Sequence, residues 1–118
     1  MTDYTIYGIR NCDTMKKAMR WLTDRGVEFE LHDYKKAGID EALLVAWLEQ
    51  VGSEVLVNRR GTTWRRLSEA DKQACDSDDH SRIAAVLAAN TSVIKRPVMP
   101  AGEHLLVGFH ADDWAAVL

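Results

Sequence analysis

Cys12 closes the run Tyr4-Thr5-Ile6-Tyr7-Gly8-Ile9-Arg10-Asn11, where an apolar, β-branched pattern gives way to the helical pattern of Asp13-Thr14-Met15-Lys16-Lys17-Ala18. A thiol at a strand-to-helix junction meets converging backbone N–H groups and the positive end of the helix dipole, and both favour thiolate over thiol. The neighbouring cations Arg10, Lys16 and Lys17 push the same way. The chemistry this points to is nucleophilic attack by sulfur; the alternative for a free cysteine is a small buried hydrophobe. Thr14 falls in the first helical turn, where its hydroxyl or N–H can serve the thiolate or cap the helix. Asn11 either shapes the loop or holds a leaving sulfur or oxyanion through its amide.

The second cysteine sits in a different setting. Cys75 is preceded by Lys72 and followed by Asp76, Asp78 and Asp79, and carboxylates oppose a thiolate, so it reads as a bystander. No Cys-x-x-Cys or Cys/His ligand spacing surrounds either thiol, and His32, His80, His104 and His110 lie in separate elements; neither a structural disulfide nor a metal site is expected. Arg59, Arg60, Arg65 and Arg66 cluster around Trp64. The sequence leaves open which of Arg59 and Arg60 faces a site. Arg65 and Arg66 are expected in solvent and Trp64 in the core.

These residues need positioning elements. Tyr4 to Ile9 reads as a buried strand, and Met15, Ala18, Met19 and Leu22 mark one face of a helix that Gly26 can end. Val27 to Tyr34 alternates as a second, partly exposed strand. Strand, helix and strand form a right-handed βαβ unit with two parallel strands and Cys12 at the carboxyl end of the first, where open α/β sheets place their sites. Lys35-Lys36-Ala37-Gly38 reads as a polar turn. Asp40 can cap a helix carrying Leu43, Leu44, Trp47, Leu48 and Val51. A loop from Leu56 leads into a short helical turn near Trp64. The polar stretch Ser68 to Ser81 then precedes a helix with Ile83, Val86 and Leu87. Arg96-Pro97-Val98-Met99, the turn Pro100-Ala101-Gly102 and Leu105 to Phe109 predict an antiparallel hairpin, with a closing helix from Asp112 to Val117.

With 118 residues, 47% hydrophobic and 28% charged, the chain is expected to form one domain, 1–118, with a helical insertion at about 38–92. A net charge of -3 argues against general nucleic-acid or membrane-surface binding, so any anion site must be local. Met1-Thr2-Asp3-Tyr4 lacks the basic and apolar regions of a signal peptide, and no apolar run approaches a membrane span; a cytoplasmic monomer is expected.

The chain order, together with Tyr7-Gly8-Ile9-Arg10-Asn11-Cys12-Asp13-Thr14-Met15-Lys16-Lys17-Ala18, Leu56-Val57-Asn58-Arg59-Arg60-Gly61-Thr62-Thr63-Trp64-Arg65-Arg66-Leu67 and Ile94-Lys95-Arg96-Pro97-Val98-Met99, resembles the arsenate reductase (ArsC) and Spx family, especially its YffB-type branch. The resemblance covers nearly the full length. It implies a thioredoxin-like α/β fold with a mixed four-stranded sheet, Cys12 as redox thiolate, Arg96 beside it as an anion-stabilising group, and Pro97 in the cis form. Three departures accompany it. Asn58 stands where arsenate reductases have an arginine, and Phe109 stands where they have another, so an oxyanion pocket of several guanidinium groups is short of charge, unless Arg59 or Arg60 replaces the first. Spx, a regulator that binds RNA polymerase, commonly switches through Cys-x-x-Cys, but the residue three after Cys12 is Met15.

A lone thiol needs an external one. The resemblance therefore implies a thiol/disulfide oxidoreductase with no bound cofactor and with glutathione as co-substrate, its carboxylates pairing with Arg59, Arg60 or Arg96. Cys12 and Arg96 are the expected catalytic residues; Asn11, Thr14, Asn58, Arg59, Arg60 and Pro97 are expected to bind substrate. The alternatives are a Spx-like module that binds RNA polymerase or another protein, and a weak arsenate reductase.

Overall fold

A computed structural model describes residues 4–118; Met1 to Asp3, read above for a targeting signal, lie outside them. The chain divides into two compact units, Met1–Ala37 with Arg96–Leu118, and Gly38–Lys95.

The first unit is built on a four-stranded sheet. Strand β1 (Tyr4–Gly8) leads into helix α1 (Asp13–Asp24), which returns the chain to β2 (Phe29–Asp33) and a short helix α2 (Tyr34–Ala37). The order in the sheet is β2-β1-β3-β4, with β3 at Val98–Ala101 and β4 at His104–Val107. β1 and β2 run parallel from Tyr4 opposite Phe29 to Gly8 opposite Asp33, as a βαβ crossover requires. β3 is antiparallel to both β1 and β4, so the sheet is mixed. The hairpin turns at Gly102, whose φ of 61° suits a residue without Cβ.

Helix α1 presents Met15, Ala18 and Leu22 to this sheet, the spacing of one helical face, and they join Ile6, Met99, Ala101, Leu106 and Trp114 in a continuous core. Trp114 belongs to the closing helix α8 (Ala111–Val117). Its ring meets Phe109 edge-on at 5.2 Å and Trp21 at 6.3 Å, a favoured geometry for aromatic pairs. Its indole N–H donates to the Gly108 carbonyl at 3.0 Å, and the Gly108 N–H donates to the Pro97 carbonyl at 2.8 Å. The closing helix thereby anchors the Arg96-Pro97 segment through the end of β4.

The second unit is helical and contains the stretch read as an insertion. It comprises α3 (Glu41–Val51), α4 (Ser53–Leu56), α5 (Thr62–Arg66), α6 (Glu69–Cys75), α7 (His80–Ala89) and a 3₁₀ turn at Thr91–Val93. Three starts are capped by side chains: Asp40 accepts from the Ala42 N–H, Ser68 from Asp71, and Asp79 from Ser81 and Arg82, each satisfying donors that a helix leaves open. Leu44, Trp47 and Leu48 of α3 and Ile83, Ala84 and Leu87 of α7 are buried where these two helices pack.

Three local expectations are corrected. Lys35 to Ala37 form a helical turn, because Asp33 accepts the N–H groups of Lys35 and Lys36 and so caps it. The polar Ser68 to Ser81 stretch contains α6, started by the Ser68 cap and held by buried Ala74 and Cys75. Trp64 is only half-buried; one ring face is covered by the Arg59 guanidinium at 5.3 Å, a cation–π contact.

Candidate active site

Cys12 occupies the N-cap of α1, with extended backbone at φ -132° and ψ 130°, and the Lys16 N–H donates to its carbonyl at 3.0 Å. The N–H groups of the first turn before Lys16 have no carbonyl of the helix to meet. The thiol makes no cap hydrogen bond of ordinary geometry, yet the Met15 and Thr14 N–H groups lie close enough to stabilise its anion.

The other stabilising group is Arg96, which hydrogen-bonds to the sulfur and adds its charge. Burial pulls the thiol pKa upward, and the Met15 N–H, the Arg96 guanidinium and the Thr14 N–H outweigh it, so Cys12 ionises below the ordinary cysteine value. This combination of partial exposure and converging positive charge marks a reactive cysteine. The Arg96-Pro97 peptide is cis, the form implied by the resemblance, and Pro97 is buried.

Arg96 also meets a residue that strand reasoning passed over. Tyr34, 1% exposed, shares a hydrogen bond with the guanidinium, and its own ionisation is pushed far up by burial, so it remains a neutral phenol. Asp33, next to it, ties the Cys12 loop to α2: its carboxylate accepts the Arg10 N–H at 3.2 Å and the Lys35 N–H at 3.0 Å. Desolvation raises the Asp33 pKa, but these N–H groups more than offset it and keep the carboxylate ionised. The available signal was an aspartate ending the second parallel strand, level with the end of β1, with a tyrosine directly after it.

Of the expected site residues, Cys12, Thr14 and Arg96 come together in the first unit, Thr14 through its N–H, and Pro97 follows Arg96 through the cis peptide. Asn11 is exposed and lines a groove with Ile9, Arg10, Asp33, Lys35 and Lys36. Asn58, Arg59 and Arg60 lie in the second unit, around a separate groove with Glu54 and Lys95. Arg59 donates to the Ser53 and Cys75 carbonyls and pairs with Asp76 at 3.1 Å, so its guanidinium is engaged within that unit. The Asn58 side chain accepts the Arg60 N–H at 3.1 Å, shaping the loop, while Arg60 itself is exposed.

Cys75 is fully buried. Burial raises its thiol pKa and prevails over the opposing pull of Arg59, with smaller pushes in the same direction from Asp76 and Asp71, leaving a protonated packing residue. Both cysteines are free thiols. Among the described residues no cluster of His, Cys, Asp and Glu could hold a metal ion, and no helix is long and apolar enough to cross a membrane.

Comparison with known proteins bears on the family and the fold. The profile of the ArsC family matches residues 7–117. A solved structure of the YFFB protein is 45% identical, with a TM-score of 0.88 and 98% of each chain covered. An arsenate reductase (ArsC) related protein from Brucella melitensis is 44% identical, with a TM-score of 0.72, covering 98% of this chain and 93% of that one. The global transcriptional regulator Spx of Streptococcus pyogenes serotype M3 is 23% identical over 97% of this chain and 84% of its own length. A glutaredoxin from Archaeoglobus fulgidus, 13% identical with a TM-score of 0.51 over 99% of this chain and 86% of that one, bears on the fold alone. The mixed four-stranded sheet with its helices is a thioredoxin-like fold.

Proposed function

Since the chain belongs to the ArsC family, we propose that it is a monothiol disulfide reductase that works with glutathione. The observation that carries this reading is the setting of Cys12, a half-buried sulfur served by two first-turn N–H groups and by Arg96. Thiol–disulfide exchange is the reaction a stabilised, accessible thiolate performs. With a glutathione mixed disulfide as substrate, the Cys12 thiolate attacks the glutathione sulfur. The Cys12–glutathione S–S bond forms, the original S–S bond breaks, and the substrate leaves as a thiolate that takes up a proton. A second glutathione, as thiolate, then attacks the adduct, producing oxidised glutathione and restoring Cys12. Over the two steps the substrate sulfur is reduced to a thiol and the sulfur of the second glutathione is oxidised, while the first glutathione sulfur stays at the disulfide level throughout, so the electrons balance.

The scheme needs an external thiol because Met15 stands three residues after Cys12 and is fully buried, and Cys75 is a buried, protonated thiol. Arg96 assists both steps, since Cys12 is the attacking thiolate in the first and the leaving thiolate in the second. Arsenate reduction is disfavoured: Phe109, at the position of a family arginine, is packed against Trp21 and Trp114 and brings no charge.

The test is glutathione-dependent reduction of 2-hydroxyethyl disulfide. Cys12→Ser is expected to abolish turnover and Cys75→Ser to retain most of it; equal loss in both would overturn the monothiol scheme. The likeness to Spx supports a second reading, a module that binds a protein partner such as RNA polymerase. Full activity of Cys12→Ser in partner capture, with no disulfide reduction by the native chain, would favour that reading instead.

A further inference from the structure

The first unit contains a groove that the exchange chemistry alone does not explain. It has a volume of about 340 Å³ and is walled by Ile9, Arg10, Asn11, Asp33, Lys35 and Lys36. Cys12 does not itself line the groove, but Asn11, which does, precedes it directly in the chain, so the groove adjoins the segment that carries the sulfur.

The groove's charge is arranged for an anion. Its one carboxylate, Asp33, is occupied by backbone donors: one oxygen takes the Arg10 N–H, the other the N–H groups of Lys35 and Lys36 at 3.0 and 3.3 Å. That carboxylate fixes the relative position of the two segments that carry the cations. Arg10, Lys35 and Lys36 are exposed; the Lys36 charge favours the ionised Asp33, but among the described residues no ion pair takes up any of the three. Three cations against one carboxylate leave the lining at +2, in a chain whose formal net charge is -3. Such a local reversal of sign concentrates anionic ligands. The half-buried Ile9 adds an apolar wall, and Asn11 adds an amide.

We propose that this groove receives the carboxylate-bearing end of the thiol or disulfide that reacts at Cys12, with Arg10, Lys35 and Lys36 selecting anionic over neutral or cationic partners. The inference rests on the thiol-exchange reading of Cys12 and adds its substrate class. Recognition is by long, solvated side chains, so it acts on the encounter with substrate and weakens with salt.

The test measures only the first exchange step, in the Cys75→Ser background. Adduct formation at Cys12 is followed by mass spectrometry with oxidised glutathione, which is anionic, with neutral 2-hydroxyethyl disulfide and with cationic cystamine. In Lys35→Gln/Lys36→Gln, and separately in Arg10→Gln, the ratio of the oxidised-glutathione rate to the neutral-disulfide rate is expected to fall, by about tenfold in the double variant at low salt. The ratio of the cystamine rate to the neutral rate is expected to rise. Charge ratios that stay unchanged overturn the groove assignment while leaving the exchange chemistry intact. Failure of the native chain to react with any of the three disulfides overturns both.

Discussion

Gly8 ends β1 against the side chain of Met15, and replacing it by alanine tests how tightly the cysteine loop is underpinned. A Cβ at position 8 would lie 2.3 Å from the Met15 sulfur and 2.6 Å from its methyl carbon. Carbon contacts settle at about 3.5–4.0 Å, so those atoms must retreat by about 1 Å. Met15 is flexible but completely buried, and it has to move within a filled core. Adding one methyl to a packed interior costs about 1–3 kcal/mol; the thioether's adaptability places Gly8→Ala near 2 kcal/mol, roughly. The opposing gain from a stiffer unfolded chain is about 0.4–1 kcal/mol, so destabilisation wins. Met15→Ala alone should cost about 2–5 kcal/mol through lost burial and the space it leaves. In the double variant the new methyl at position 8 points into that space, so the penalties should fall short of additivity by about 1–2 kcal/mol. Urea denaturation of the four proteins, read as midpoints at constant m-value, measures this coupling. Additivity within about 0.5 kcal/mol, or a neutral Gly8→Ala, would refute the close approach.

The lowered Cys12 pKa also makes stability depend on pH. Because the folded value lies below the unfolded one of about 8.5, Cys12 adds stability that is fully present above the unfolded value and is lost as pH falls through the folded one. The stability difference between the native chain and Cys12→Ser should therefore rise with pH across that window, and Arg96→Met should narrow it; urea midpoints over a pH series check both. Asp79→Ala removes the cap that accepts two N–H groups at the start of α7 and should cost about 1 kcal/mol, lowering Tm by about 3–6 °C in a thermal melt.

The βαβ unit, its parallel pairing and the position of Cys12 were legible because hydrophobic periods of two and of 3.6 residues follow one another without ambiguity from Tyr4 to Asp33. The hairpin and the closing helix were legible from Gly102 and the apolar pairs around it, although Pro100 and Ala101, read as part of the turn, extend β3 opposite Leu105 and His104. Helix α6 was not, because its seven residues bury little beyond Ala74 and Cys75, too few to establish a period; only the Ser68 cap marked it. Trp64 misled for a related reason. Size and apolarity predict burial, but α5 buries no residue, and the ring is instead covered by a guanidinium.

At the site, the thiolate's surroundings were readable where they depend on the backbone and obscure where they depend on long-range contacts. Any residue at the N-cap meets the first-turn N–H groups, so the strand-to-helix junction alone implied them. Arg96 entered through a family resemblance, and Tyr34 did not enter as a site residue, since nothing in the order of the residues says that a phenol opening α2 meets a guanidinium preceding β3.

The same distinction explains why Met15 and Cys12 can be so close yet serve different purposes. The Met15 N–H acts on the sulfur whatever side chain the residue carries, whereas the side chain points away into the core against Gly8. A cysteine placed at 15 would keep the first role but would exchange a filled interior for a smaller, buried thiol. The fold therefore separates the tasks. Backbone donors and Arg96 make the anion, the packed Met15 holds the helix that carries those donors, and exposed Arg10, Lys35 and Lys36 are left to choose the molecule that reacts. It follows that substitutions at the exposed cations should alter which disulfide is preferred, whereas those at Arg96 should slow exchange with disulfides of every charge.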